Sequence, residues 1–255
     1  MKFRAVISIY NCHVGDNCLT ILIRKEEWLM IIHRRSRLHD EKGNFAPFIE
    51  ILRLPIIFFQ AIAKKLFDYY PPAPCIVYGA QKTLNLIIKK DMRVVEFGSG
   101  QSTLWYAQRC KEIISHETAD KWYRKITKQL SDANCQNAEL VMWDGKSIME
   151  KIKIPPPDLI IIDGISRDIC VEYAIEVASD STWVYLDNSD KDMDPPDPNR
   201  EMRFCERRLI EFARLQQREI KYFTGFSPAQ FFGEQGMLVC AKIMSRSDQK
   251  AINSL

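Results

Sequence analysis

Glycine is scarce in this sequence, 10 residues in 255, where about 7% would be usual. The pair Gly98 and Gly100, two positions apart, therefore stands out. Histidine numbers only 4, with no pairing at metal-binding spacing. The 8 cysteines contain no C-x-x-C, which argues against a zinc site and for a reducing compartment. Cys135, Cys170, Cys205 and Cys240 recur every 35 residues, but their neighbours share no pattern, so no repeat is read from them. No apolar run reaches the ~18 residues of a membrane span. Met1–Tyr10 lacks the apolar core and cleavage site of a secretory leader, so the expected location is cytoplasmic. Strong charge of one sign is missing too. A net +3 gives no reason to expect a nucleic-acid partner. The charge is uneven, however: residues 1–90 hold 14 Lys/Arg and 7 Asp/Glu, residues 91–255 hold 22 and 26.

The most informative stretch is Val94-Val95-Glu96-Phe97-Gly98-Ser99-Gly100-Gln101-Ser102-Thr103. Arg93–Phe97 is too short for a helix and rich in β-branched residues. Gly-Ser-Gly breaks it, and Leu104-Trp105-Tyr106-Ala107 restarts with helical character: strand, turn, helix. Ser102 or Thr103 is expected to cap that helix. A glycine turn running into a helix N-terminus suits a nucleotide-like ligand. Thr103 stands where a dinucleotide fingerprint needs its third glycine. Glu117 follows Gly98 by 19 residues, at the end of a second apolar run, where a carboxylate can accept hydrogen bonds from two ribose hydroxyls.

Glu96-x-Gly98-x-Gly100 resembles motif I of the class I S-adenosylmethionine (SAM) methyltransferases. The resemblance implies that Gly98, Ser99, Gly100 and Ser102 lie against the methionine part of SAM, and that Glu96 helps order that loop. It gives Glu117 the ribose. It also implies that Asp144-Gly145 meets the adenine amino group; the alternative is an Asp that caps a helix over Lys146–Ile152.

From Arg93 onward strand and helix alternate. Strands are expected at Arg93–Phe97, Glu112–Glu117, Glu139–Trp143, Asp158–Asp163, Thr182–Asp187, Glu219–Phe223 and Met237–Ile243, with the Gly225–Gly236 loop joining the last two. Helices are expected near Ser102–Arg109, Ala119–Ala133, Lys146–Ile152, Arg167–Ala178 and Arg200–Gln217. Repeated βα units predict an α/β fold, a parallel sheet covered on both faces. The count matches the seven-stranded, Rossmann-like methyltransferase sheet, whose last strand inserts antiparallel, and the resemblance spans about two-thirds of the chain.

Residues 1–70 read as an N-terminal extension, 71–245 as the methyltransferase domain and 246–255 as a C-terminal tail. Within the extension, short strands are expected at Phe3–Tyr10, Cys18–Arg24 and Trp28–His33, followed by a polar linker, Arg34–Asn44. Deleting residues 1–44 should then leave the domain folded. Phe45–Phe67 is apolar with a basic end, and Pro47 and Pro55 suit helix first turns. It reads as a helix packed on the domain or on a second subunit; the other reading is peripheral membrane contact through 45–67. Ile76–Lys89 is a further helix, from which Tyr78 could reach the cofactor.

Strand ends at the carboxyl edge of a parallel sheet are where ligands bind, and several here are acidic. Leu159–Ile162 runs into Asp163-Gly164, and Trp183–Leu186 into Asp187-Asn188-Ser189-Asp190. Asp163, Asp187 and Asn188 are three oxygen ligands that would suit Mg²⁺. This arrangement resembles the catechol-type, metal-dependent O-methyltransferases. Those carry a lysine where Ser166 stands here, followed by Arg167, which stays charged and is a poor base. Ile-Asp-Gly-x-x-Arg-x-x-Cys, Leu-Asp-Asn-Ser-Asp and Gly-Phe-x-Pro look closer to a poorly characterised, bacterial-type group of small-molecule SAM methyltransferases. The resemblance gives Asp163, Arg167 and Asp187 to catalysis, with Asp163 also near SAM and Arg167 orienting an anionic substrate group. The acidic loop Asp190–Asn199 could form a lid, and His116 a base.

The function implied is methyl transfer from SAM to an oxygen or nitrogen of a small molecule. A non-catalytic SAM-fold module recruited to a membrane or partner is the alternative. A nucleotide-dependent oxidoreductase fits less well: Thr103 replaces the glycine, and the one Tyr-x-x-x-Lys, Tyr78 to Lys82, precedes the first sheet strand.

Overall fold

In a computed structural model, residues 35–146, 156–191 and 202–253 are described. The expected strands before residue 34, most of the Lys146–Ile152 helix and the loop after Lys191 lie outside them.

Seven strands form one sheet: β1 (Arg93–Phe97), β2 (Glu112–Glu117), β3 (Ala138–Met142), β4 (Leu159–Ile162), β5 (Trp183–Leu186), β6 (Ile220–Gly225) and β7 (Glu234–Val239). Their order is β3-β2-β1-β4-β5-β7-β6. β1 pairs parallel with β2 and β4, and β4 with β5, while β7 runs antiparallel between β5 and β6. The central strands are apolar on both sides because both sides are covered: all four residues of β4 and of β5 are buried.

Among the described residues eight helices accompany the sheet: α1 (Phe48–Ile51), α2 (Leu54–Phe67), α3 (Tyr78–Ile87), α4 (Gln101–Ala107), α5 (Asp120–Asp132), α6 (Arg167–Val177), α7 (Met202–Leu215) and α8 (Arg246–Asn253). One core lies between the sheet and α3–α4, built on Leu84, Ile87, Tyr106, Ile161 and Tyr185. The other lies under α6–α7, where Cys170, Tyr173, Cys205 and Leu209 meet Phe97, Ile162 and Leu186. α8, read from sequence as a tail, adds Ile252 to the first core and ties Asp248 to Lys89 at 2.9 Å.

Two expectations need correcting. The last strand begins at Glu234, three residues before Met237, and stops at Val239. Gly236 looked like loop, but it lies inside the strand, paired with Phe223, and is glycine because a Cβ there would collide with the Tyr185 hydroxyl. The segment before Phe45 is not a loose linker. Asp40 is fully buried and accepts hydrogen bonds from Asn44 N and Nδ2 (both 2.8 Å), Thr224 Oγ1 (3.1 Å) and Gln235 Nε2 (3.2 Å). Lys42 pairs with Glu206 and donates to Gln235 at 2.8 Å. Both residues bind the β6–β7 side of the sheet, as a polar segment does when its charges find buried partners.

Candidate active site

The glycine turn is organised from below by Glu96. This residue is fully buried, and its carboxylate accepts hydrogen bonds from Ser102, Thr103 (2.6 Å) and Ser115 (2.6 Å). Burial pushes its carboxyl up to about 7, against the pull of those hydroxyls. Neither Ser102 nor Thr103 is the N-cap residue, since α4 starts at Gln101 with Gly100 before it, but Thr103 caps the helix from its first turn: its Oγ1 reaches back to accept from Gly100 N at 3.1 Å, while Ser102 Oγ is given to Glu96. Glu96 thus fastens the turn from inside and does not line the cavity above it.

That cavity, of about 470 Å³, lies at the carboxyl edge of the sheet and is within the size range of small-ligand sites. Gly98 to Ser102 form one wall, Glu117 to Ala119 and Trp122 the next, and Asp163 to Ile165 with Arg167 the far end. Gly98 has φ +97, and a Cβ on it would stand 2.7 Å from Gly164 Cα and N. The two turns meet backbone to backbone, an approach that only glycine allows at this φ.

Glu117, 6% exposed, accepts four hydrogen bonds: from Ser99 N (2.9 Å), Ser99 Oγ (2.7 Å), Thr118 N and Ala119 N (both 2.8 Å). Those use the lone pairs of a carboxylate, so a ribose hydroxyl would take over from Ser99 Oγ. His116 is nearly buried beside it, with Nδ1 lacking a protein partner. Burial lowers its pKa to about 4, which makes it a weak base near neutrality. Asp144 is exposed, accepts from Lys146 N at 2.9 Å, and is not on the cavity wall; nor is Gly145. Trp143, one residue earlier, lines the cavity, with a buried Nε1 that has no protein partner. Tyr78 does not line it; its hydroxyl donates to Gln60 at 3.1 Å and so ties α3 to α2.

At the far end Asp163, Asp187, Asn188 and Arg167 come together. The Asp163 and Asp187 carboxyls hydrogen-bond to each other, and Tyr185 donates to Asp187 at 3.0 Å. Burial, then the neighbouring Asp187, raises Asp163 well above the usual carboxylate range, with Arg167 opposing. Burial likewise raises Asp187 against Arg167 and Lys191. Asp163 keeps a quarter of its side chain exposed, and it lines the cavity. Arg167 donates to the carbonyls of Gly164 (2.8 Å) and Asp187, to Asp163 Oδ1 (3.4 Å) and to Asn188 Oδ1 (3.3 Å). Among the described residues no group of three or more His, Cys, Asp or Glu is placed to hold a metal ion.

No family model and no curated protein matches the sequence. Solved structures do. The O-methyltransferase TomG from Streptomyces achromogenes, solved with SAM, superposes with a TM-score of 0.57 over 76% of this chain and 96% of its own, at 16% identity. The O-methyltransferase from Bacillus cereus, solved with SAH, gives 0.53 over 74% and 90%, at 18% identity. The chain has the class I SAM-dependent methyltransferase fold. The strand that inserts antiparallel in this methyltransferase fold brings a residue that the sequence did not single out. Glu234, fully buried, accepts from Asn188 Nδ2 at 3.1 Å and from Ser227. Burial, then Asp187, pushes it up to about 8. It was hidden because its segment read as loop. Trp143 was hidden by its neighbour Asp144, whose charge drew the reading. Lys64, on α2, and Tyr70, three residues beyond its end, are also on the wall and belong to no motif.

Proposed function

We propose that this chain transfers the methyl group of SAM to an oxygen or nitrogen of a small-molecule acceptor. One observation carries the reading: a single cavity joins the Gly98–Ser102 turn and Glu117 to Asp163 and Arg167. The residues present fit the cofactor. Gly98, Ser99, Gly100 and Ser102 would hold the amino-acid end, and Glu117 the ribose. Trp143 Nε1 and His116 Nδ1, buried and without protein partners, suit the polar edge of a base. SAM, when bound, supplies an electrophilic sulfonium methyl. The chain's part is to align the acceptor and receive its proton. Asp163 and Asp187 hold a proton between them, because two adjacent buried carboxylates resist double ionisation. Asp163 faces the cavity and can receive the acceptor's proton as the proton it already shares passes to Asp187, with Arg167 beside the pair. That both neighbours are described as O-methyltransferases supports oxygen ahead of nitrogen.

The donors around Asp163, Asp187 and Asn188 do not fit Mg²⁺. Arg167 already turns positive N–H groups onto Asp163 and Asn188, and a cation there would meet like charge. We assign the working unit a span of at least Asp40 to Ile252, since both are part of its packing.

Titration calorimetry tests the cofactor reading. Glu117→Ala should weaken SAM binding by roughly 1–3 kcal/mol, and Glu117→Gln less. An unchanged affinity sinks the ribose assignment. Methyl-labelled SAM offered with a panel of hydroxyl and amine acceptors then separates an enzyme from a binding module.

A further inference from the structure

The helices α1 and α2 turn apolar side chains outward. Ile57 anchors α2, fully buried with Ala46 and Phe226. The opposite side is bare. Phe48, Phe59 and Phe67 are 73%, 68% and 77% exposed, and Ile49, Ile56 and Leu66 are each more than half exposed. Phe59, Ile62 and Leu66 fall on one helical face by their spacing. Exposed apolar side chains gathered on two successive helices mark a place of interaction.

Its charge indicates the partner. Within residues 45–67 the cations are Arg53, Lys64 and Lys65, and the one acid is Glu50, which is only 6% exposed and pairs with Arg53 at 3.6 Å. The next acid along, Asp68, is ion-paired with Lys125 at 3.1 Å. Arg37 reaches the same side: it donates to the Phe231 carbonyl at 3.3 Å, and the Phe231 ring packs edge-on against Phe58 at 6.0 Å. The surface therefore offers aromatic and aliphatic side chains flanked by cations, with no exposed carboxylate in residues 45–67. A two-fold contact between copies through this face would bring no exposed acid of residues 45–67 to meet Arg53 and Lys65. Anionic headgroups over an acyl interior answer both features at once.

We propose that the outer face of α1 and α2 docks onto an anionic lipid bilayer, with its phenylalanines in the headgroup–acyl boundary and its cations at the phosphates. Among the described residues no helix is long and apolar enough to cross a membrane, so the contact is with one surface. Lys64, on the same helix, lines the cavity, so docking brings the cavity rim to the lipid. The inference rests on the surface and stands apart from the methyl-transfer reading.

Flotation of the full chain with phosphatidylcholine vesicles, with and without phosphatidylserine, tests it. Binding should appear with phosphatidylserine and fall as salt rises. Phe48→Ser with Phe59→Ser should reduce binding about tenfold or more, since two aromatic surfaces are lost. Both positions are exposed, so the fold should persist; unchanged circular dichroism and melting confirm that. Lys65→Glu should weaken binding only to the anionic vesicles. Amide hydrogen exchange supplies the second readout: residues 45–67 should be protected on adding vesicles. Absence of binding at low salt overturns the proposal. So does a rise in that protection with protein concentration in the absence of vesicles, which would assign the face to a second copy, or a cross-link joining residues 1–34 to 45–67, which would assign it to that segment of the same chain.

Discussion

The carboxyl groups of Asp163 and Asp187 hydrogen-bond to each other at the ends of neighbouring strands β4 and β5. Arg167 closes over the pair, touching one carboxyl and the backbone of the other residue. The strand ends thus carry their own counter-charge, supplied by the first residue of α6.

Arg167→Ala should therefore cost stability as well as activity. Removing one partner of a part-buried charge cluster leaves the other uncompensated, at about 3–5 kcal/mol when fully buried and less here. Arg167→Lys should recover only part of the loss, because an ammonium cannot span the same acceptors. A chelator should leave methyl transfer unchanged. Activity that disappears with a chelator and returns with Mg²⁺ would reverse this assignment.

Stability should carry a pH signature from Glu96. Burial raises its carboxyl from 4.5 to about 7, whereas in the unfolded chain it ionises near 4.5. Between those values the folded chain holds a proton that the unfolded chain has released, so stability falls as pH rises through the window. Glu234, raised to about 8, adds to the same slope. His116, lowered to about 4 from 6.5, acts oppositely: its contribution is lost as pH falls below 6.5. Glu96→Gln should remove the Glu96 share. Relative to the parent, the variant should gain on the order of 3 kcal/mol across the window. Urea unfolding at both ends of the window measures it; a difference independent of pH would mean that Glu96 ionises normally.

Gly98→Ala should weaken the fold even without ligand. The added Cβ meets Gly164 at 2.7 Å, and the residue sits at φ +97. A loss of about 1–3 kcal/mol in unfolding free energy is expected. If ligand binding vanishes while the unfolding curve of the ligand-free protein is unmoved, the glycine serves the cofactor alone.

Asp40→Ala should destabilise the chain by about 2–3 kcal/mol, because Thr224 and Gln235 lose a buried acceptor. Deleting residues 1–44 should do at least as much, since it also removes Lys42 from Glu206. A melting temperature equal to the parent's in both variants would detach this segment from the fold.

The sheet was legible because its strands are short apolar runs punctuated by acids and glycines. β1 and β2 fall on the expected residues, Arg93–Phe97 and Glu112–Glu117. β7 was displaced because the space filled by Tyr185, not chain flexibility, selects Gly236. Asp40 was read as linker because a polar residue in a polar stretch gives no sign that its partners are 184 and 195 positions away. At the site, charged strand ends were visible, and the structure brings Asp163, Asp187, Asn188 and Arg167 together. The apolar and aromatic wall was not visible, because Trp143, Trp122 and Tyr70 look like ordinary packing residues until the sheet edge gathers them.

Gly98 and Gly164 have one further consequence, which is kinetic. Their backbones touch with no side chain between them, so the turn that would grip the cofactor cannot shift without moving the turn that carries Asp163. Filling one end of the cavity therefore fixes the shape of the other. Two ligands that meet across such a contact should each strengthen the other's binding, and both should be present before either product leaves. Parallel-line, ping-pong kinetics would be incompatible with this coupling.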